Sequence, residues 1–276
     1  MTRSPSIVRP TLALFSVRLL LQQVGLALLV FALSLIWLRI PDASAIDIAG
    51  SVLLALIVIA IAGAGESALI LRLADQGRTP VRLVRGTVLL LLGAALWIAC
   101  STLFDNLQAN DTLRAGYLNS QSPHSLRNVF SYDHALLWFG WIWSLLQAIC
   151  IGLITLFAVI ATASSQPLRA IKRALHSPAY WIATAVGIPC AVALTIGLMR
   201  WTPAHGLRIE ALSLVLRLGF ILLADGVVAC LLLAILTACA RQENVQGFLH
   251  GDSSNAVHST PGGTPEESQP RTVDNP

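Results

Sequence analysis

Residues 48–71 read IAGSVLLALIVIAIAGAGESALIL, a run that contains a single charged side chain, Glu66. An α-helix rises about 1.5 Å per residue, so a run of this length can cross the hydrocarbon layer of a bilayer, which is about 30 Å thick. Five other stretches are apolar over a similar length, so that the six cover 19–38, 48–71, 84–103, 135–163, 181–199 and 212–240. The sequence therefore predicts an all-α protein, a polytopic transmembrane helical bundle with six spans.

The composition excludes an ordinary soluble domain. Hydrophobic residues make up 55% of the chain, charged residues make up 12%, and the mean hydropathy is +0.72. A chain of this kind folded in water would leave a large apolar surface exposed. We therefore expect the lipid bilayer to surround most of its side chains.

Basic residues indicate the orientation of the chain, because Arg and Lys are retained on the cytoplasmic side of a membrane. If the N-terminus is inside, twelve of the 18 basic residues lie on cytoplasmic connections, and the six outside are Arg39, Arg114, Arg127, Arg200, Arg208 and Arg217. Most of the seven tryptophans then fall near the outer interface, which suits their amphipathic rings. We expect three hairpins with N- and C-termini cytoplasmic. The dominance of Arg over Lys and the compact loops favour the inner (plasma) membrane of a bacterium.

The chain divides into three segments. Residues 1–18 form a short basic cytoplasmic N-terminus, residues 19–240 form the six-span domain, and residues 241–276 form a disordered cytoplasmic tail. The tail is rich in Gly, Pro, Ser, Thr, Asn, Asp and Glu, so it buries too little apolar surface to offset its ordering entropy. A cleavable signal peptide is the alternative for the first span, but the interface anchor Trp37 before the small residues at 43–45 favours a retained span.

Glu66 is a candidate functional residue because an ionised side chain within a span costs about 3 kcal/mol unless it is paired or hydrated. Counting the helical rise places Glu66 in the inner half of span two, at the depth of Gln22 and Gln23 in span one. We expect a hydrogen bond between Glu66 and Gln22, with Arg18 one turn nearer the surface.

Asp225 lies near the centre of span six, where its cost is greatest, and we expect it to face away from lipid. Arg217 is two turns away on the same helix, which is too far for easy contact. Gln147, near the middle of span four, is a more plausible partner, and protonation of the carboxylate is the alternative. The candidate intramembrane polar network is Glu66, Gln22, Gln23, Arg18, Gln147 and Asp225.

A second candidate surface is the basic cytoplasmic face. Residues 167–177 are predicted to form a short amphipathic helix on the membrane surface, with apolar and basic residues on opposite sides. Attraction to anionic lipid explains such a face, and docking of a cytoplasmic protein is the alternative. The residues available to a protein partner are Arg72, Arg78, Arg82, Arg85, Arg169, Lys172 and Arg173. We expect no nucleic-acid partner.

The sequence offers no catalytic, cofactor-binding or metal-binding residue. HExxH, GxSxG, P-loop and dinucleotide-binding signatures are all missing. The five cysteines lie within predicted spans without a CxxC pair, which is typical of small packing residues. We therefore expect no cofactor, no metal and no disulfide.

Three functions are compatible with these patterns. The first is a non-catalytic membrane subunit or scaffold, favoured by short connections and by the lack of reaction motifs. The alternative is a secondary transporter or permease for a small solute, with Asp225 and Glu66 as its coupling carboxylates. The third, an enzyme acting on lipid at the outer interface, would draw on Asp105, Asp111, Asp133, His124 and His134, whose spacing supports no particular role.

Overall fold

A computed structural model describes residues 8–40, 44–77, 79–123, 131–201 and 207–257 of the chain. Helices account for nearly all of this part, and no strand occurs in it. The helices are α1 Val8–Leu14, α2 Val17–Trp37, α3 Ala45–Leu73, α4 Pro80–Gln108, α5 Asp111–Gln121, α6 Tyr132–Ala163, α7 Pro167–Leu175, α8 Pro178–Ile182, α9 Ile188–Arg200 and α10 Leu207–Val257. A π-helical segment, Ala183–Gly187, joins α8 to α9.

Six of these helical stretches are long and apolar enough to cross a membrane. They are Val17–Trp37, Ala45–Leu73, Pro80–Gln121, Tyr132–Ala163, Pro178–Arg200 and Ile209–Asn244. The prediction of an all-α chain with six potential spans is thereby confirmed. Span five consists of α8, the π-helical segment and α9.

Polar capping residues start the spans. The side chains of Ser16, Ser44, Thr79 and Ser131 accept hydrogen bonds from backbone N–H groups in the first turns of α2, α3, α4 and α6. These N–H groups have no partner within their own helix, so each cap satisfies a donor that would otherwise be lost near the membrane surface. Pro80 follows Thr79 at the first position of α4, where its fixed φ suits helix initiation.

The spans pack in an order that closes on itself. Along the chain α2 packs against α3, α3 against α4, and α4 against α6; span five then packs between α6 and α10, and α10 returns to α2. One end of the bundle carries the short helix α7 (the α7 end), and the other end carries the short helix α5 (the α5 end).

Burial is concentrated at the α7 end. The core comprises Ile70 of α3 and Ala74, which caps that helix. Buried residues within 156–163 of α6, within 170–183 from α7 to the π-helical segment, and within 232–240 of α10 supply the rest. Residues 232–240 are all buried, so α10 is surrounded on every side there. Towards the α5 end the same helix exposes most of its large apolar residues, including Leu214, Val215 and Leu216.

Two segments differ from what the sequence predicted. The polar connection after span three contains an additional helix, α5, which packs against α6. The last helix continues past Arg241 to Val257, into the segment predicted to be a disordered tail. Residues 258–276 lie outside the described residues, so disorder there stays a prediction.

Span five lies very close to α6 at Gly152. A Cβ atom on Gly152 would lie 2.3 Å from Cγ2 of Thr184, which is fully buried in the π-helical segment. The following turn contains Pro189, which has no N–H group to donate, and a π-helical turn accommodates such a break in the helical ladder. The contact therefore depends on the smallest side chain at position 152.

Substitution of Gly152 by alanine should destabilise the bundle. The added methyl group forces α6 and span five apart, and overpacking of this kind costs about 1–3 kcal/mol. Thermal unfolding in detergent should show a lower midpoint for Gly152→Ala than for the wild type. The matched control is Gly140→Ala on the same helix, where a Cβ atom meets nothing within 4 Å. Equal midpoints for the two variants would contradict the close contact.

Candidate functional site

Glu66 is held by Gln23 across the contact between α2 and α3. Nε2 of Gln23 donates a hydrogen bond of 2.5 Å to Oε1 of Glu66. The two helices come close there because residue 65 is glycine, and a Cβ atom on Gly65 would lie 2.6 Å from Cδ1 of Leu26. The small residues next to Glu66 thus bring the carboxylate within reach of an amide on the neighbouring span.

The partner of Glu66 is Gln23 in place of the expected Gln22. Successive residues on a helix point about 100° apart, so depth alone does not decide which of two neighbours faces α3. Leu19 is buried and Leu26 packs on Gly65, and both share the face of Gln23 by their spacing of four and three residues. Gln22 is half-buried and Arg18 is exposed; the described part of the chain shows neither of them bonded to Glu66.

Asp225 is exposed on the surface of α10, although it lies within the apolar span Ile209–Asn244. Two residues that follow it in the sequence, and that flank it around the helix axis, make contacts with other helices. Gly226 faces Leu20 and Val24 of α2, and Val228 faces Gly187 of span five. The Asp225 carboxylate therefore lies between the contact with α2 and the contact with span five and belongs to neither. The sequence predicted that this side chain would face away from lipid, but it is exposed on the outside of the bundle.

The direction that Asp225 faces can be worked out from two residues of α10 near the α7 end. Nε of Arg241 donates to the backbone carbonyl of Leu73 in α3, and 16 residues of helix place Arg241 about 160° around α10 from Asp225. Glu243 is 18 residues from Asp225, about five whole turns, and therefore lies on the same side. Asp225 thus lies on the side opposite α3.

Other polar residues of the spans leave Asp225 without a partner. Gln147 is half-buried in α6, and no hydrogen bond joins it to Asp225 in the described residues. Arg217 turns towards the α5 end: its Nη2 donates to Oγ of Ser213 at 2.8 Å, and its guanidinium lies 4.9 Å from the ring centroid of Trp201. Among the residues described, Asp225 makes no hydrogen bond or ion pair.

A polar clamp at the α7 end was missed by the sequence analysis. Arg173 of α7 forms an ion pair of 2.7 Å with Glu243, whose side chain is almost fully buried. One residue further on, Oδ1 of Asn244 accepts hydrogen bonds from the backbone N–H and the hydroxyl of Ser165. Glu243 and Asn244 had been assigned to the tail by composition. The signal that could have found them is the run 240–246, which contains no Gly or Pro to end the helix.

Asp111, one of the acids considered for lipid chemistry, has a packing role. It is buried, it pairs with Arg114 at 2.9 Å, and it accepts a hydrogen bond of 2.6 Å from Nε1 of Trp143. The hydrogen bond from Trp143 joins α5 to α6. Asp105, Asp133 and His134 are exposed, whereas His124 lies outside the described residues. The described part of the chain contains no group of three metal-ligating side chains.

The basic residues proposed for a protein partner are spread over the α7 end. Arg82, Arg85, Arg169 and Lys172 are exposed, Arg72 is half-buried, and Arg78 lies outside the described residues. Nη1 of Arg169 donates to Oε1 of Gln166 at 3.1 Å. Arg173 belongs to the clamp on α10, so it is less available to a partner than its neighbours.

The Gln23–Glu66 pair should contribute measurably to stability, whereas Gln22 should not. Gln23→Ala removes the amide that donates to Glu66, and a hydrogen bond between spans contributes about 0.6–2 kcal/mol. We expect a lower unfolding midpoint for Gln23→Ala and an unchanged one for the matched control Gln22→Ala. A double-mutant cycle with Glu66→Ala should give a coupling of the same size. Loss of stability in Gln22→Ala alone would contradict the pairing.

Comparison with known proteins adds no assignment to this site. No protein-family model matches the chain, and no curated protein or solved structure matches it. The function of the polar residues is therefore inferred from their positions in this chain alone.

Proposed function

We propose that this protein is a non-catalytic membrane subunit or scaffold that holds a partner polypeptide against the Asp225 side of α10. The single observation that carries this proposal is an exposed carboxylate in the middle of an apolar span, which no residue within the described ranges pairs with. Leu218 and Leu214 are exposed on the same side, about two and three turns away, so Asp225 adjoins an apolar surface suited to another membrane helix.

The free-energy cost of a carboxylate exposed to lipid favours a partner helix that covers the Asp225 side of α10. An ionised carboxylate at the centre of a bilayer costs about 3 kcal/mol, and burial against a donor removes most of that cost. The partner we propose is a membrane helix with an amide, hydroxyl or basic side chain at the depth of Asp225, because such groups donate hydrogen bonds to carboxylates. Polar groups of this type join helices that have no hydrophobic driving force to associate within lipid.

The secondary-transporter alternative stays a prediction. A transporter would bring its coupling carboxylates to one solute path, but Glu66 is bonded on α3 while Asp225 lies on the side of α10 opposite α3. Their positions lend no support to a shared path, so we favour the subunit.

We further propose that the α7 end faces the cytoplasm of a bacterial cell and that the protein lies in the inner (plasma) membrane with both termini inside. The excess of basic residues at the α7 end supports this orientation. The basic residues there would then meet the anionic inner leaflet.

Photo-crosslinking should capture the partner from one side of α10 only. We expect p-benzoylphenylalanine at Leu218, on the Asp225 side, to form an adduct of defined mass in native membranes. The matched control is Leu216, also exposed but about 180° from Asp225, where we expect no adduct. Asp225→Leu should lower the yield at Leu218 about tenfold, since about 1.4 kcal/mol is lost with the polar contact.

Three outcomes would contradict the proposal. An adduct that forms equally from Leu216, or one that is unchanged by Asp225→Leu, would mean that the carboxylate does not organise the contact. An adduct of twice the mass of this chain would mean self-association in place of a separate partner.

Labelling with an impermeant thiol reagent tests the orientation. A cysteine at Ser120, exposed on α5, should react in intact cells, whereas a cysteine at Arg169, exposed on α7, should react only after the membrane is permeabilised. The unsubstituted chain is the control for its five natural cysteines. The reverse pattern would invert the proposed topology.

A further inference from the structure

A polar cleft opens at the α7 end between α4 and the end of α6. Its volume is about 300 Å³, and Gln76, Arg82, Arg85, Thr162, Ser164 and Ser165 are among its lining residues. Volumes of this size are at the lower limit of small-molecule sites, about 300–1,000 Å³. The cleft therefore suits a compact polar group.

The floor of the cleft is built by a close meeting of three helices. Gly86 of α4 also lines the cleft, and a Cβ atom there would lie 2.2 Å from Oγ of Ser67 in α3 and 2.7 Å from Cγ2 of Thr162 in α6. Oγ of Ser67 donates to the carbonyl of Leu83, which ties α3 to α4 below the arginines. The cleft is thus a fixed part of the bundle.

The cleft carries the positive charge of two arginines. Arg82 and Arg85 are three residues apart and share one side of α4. The ion pairs within the described residues join Arg114 to Asp111 and Arg173 to Glu243, and neither involves these two arginines. Among the residues that the structure describes, no Asp or Glu lines the cleft. The positive end of the α4 dipole adds to the same field.

Arg82 is oriented by a hydrogen bond to Gln76. Its Nη1 donates to Oε1 of Gln76 at 2.6 Å, which leaves the remaining guanidinium donors and the Gln76 amide N–H groups for a ligand. Guanidinium groups bind phosphate through paired, charge-assisted hydrogen bonds. The chemistry of the cleft is that of a phosphate site.

The position of the cleft indicates where the phosphate comes from. It lies at the ends of two spans, the level at which lipid headgroups meet the hydrocarbon layer. On the Arg85 side of α4, Leu92 and Leu96 form an exposed apolar stripe about two and three turns further into the span. A phosphate bound to Arg82 and Arg85 would leave acyl chains along that stripe.

We propose that this cleft binds the phosphate group of an anionic membrane phospholipid, with Arg82 and Arg85 as the ligands of the phosphate. The site is independent of the partner surface at Asp225. It assigns these two arginines to one bound lipid, whereas the sequence predicts a general attraction of the basic face to anionic lipid, with docking of a cytoplasmic protein as the alternative.

Titration of the detergent-purified full chain with dioctanoyl phosphatidylglycerol, followed by native mass spectrometry, tests the proposal. We expect one bound lipid at low concentration, and Arg82→Gln with Arg85→Gln should weaken binding about tenfold or more. The matched control, Arg169→Gln with Lys172→Gln, removes two exposed charges at the same end but outside the cleft, and should change binding by about twofold or less.

Competition with inorganic phosphate distinguishes a lipid phosphate from free phosphate as the ligand of the cleft. Inorganic phosphate should compete weakly, because it lacks acyl chains, and equal competition would overturn the assignment to lipid. Equal loss of lipid binding in both double variants would mean that binding depends only on the general surface charge, and this result would also overturn the proposed site. If the glutamine variant unfolds, Arg82→Lys with Arg85→Lys keeps the charge but loses the paired hydrogen bonds, and unchanged lipid affinity would contradict the site.

Discussion

Within the hydrocarbon layer a polypeptide must satisfy its own backbone hydrogen bonds, because lipid offers no partner for them. The described part of the chain meets this requirement with helices that are long enough to cross the layer. The same constraint applies to side chains, so each polar group in a span needs a partner or a specific surrounding. Glu66 meets the requirement inside the chain through Gln23, whereas Asp225 meets it nowhere among the residues described. The proposed function follows from that contrast.

The bundle is packed unevenly along its length, and this explains how Asp225 can be exposed at a fixed position. At the α7 end α10 is buried on every side and clamped through its own Glu243 and Asn244, so its position there is fixed. Towards the α5 end the spans expose large apolar side chains, and helix packing inside lipid gains little from apolar contact alone. A span anchored at one end and open at the other presents its exposed side at a defined position, which a docking surface requires.

The sequence predicted the features that depend on length and depth, and it missed those that depend on rotation about a helix axis. Six spans follow from bilayer thickness, and the common depth of Glu66 and Gln23 follows from the rise per residue. Which glutamine faces α3 depends on the packing of Leu19 and Leu26, and this is a property of two helices together. The exposure of Asp225 depends likewise on how α2 and span five sit beside α10. Composition also misplaced Glu243, because an average over the tail conceals a local continuation of the helix.

The cleft and the clamp on α10 are connected through the end of α6. Ser164 and Ser165 line the cleft, and both hydroxyls donate to Oδ1 of Asn244, which fixes α10 where it leaves the core. Nδ2 of Asn244 donates in turn to the carbonyl of Ala163, a group left without a partner by the end of α6. The shape of the cleft and the position of α10 therefore depend on one set of hydrogen bonds. Since α10 also carries Asp225, the polar groups at the α7 end fix the helix on which the exposed carboxylate is presented.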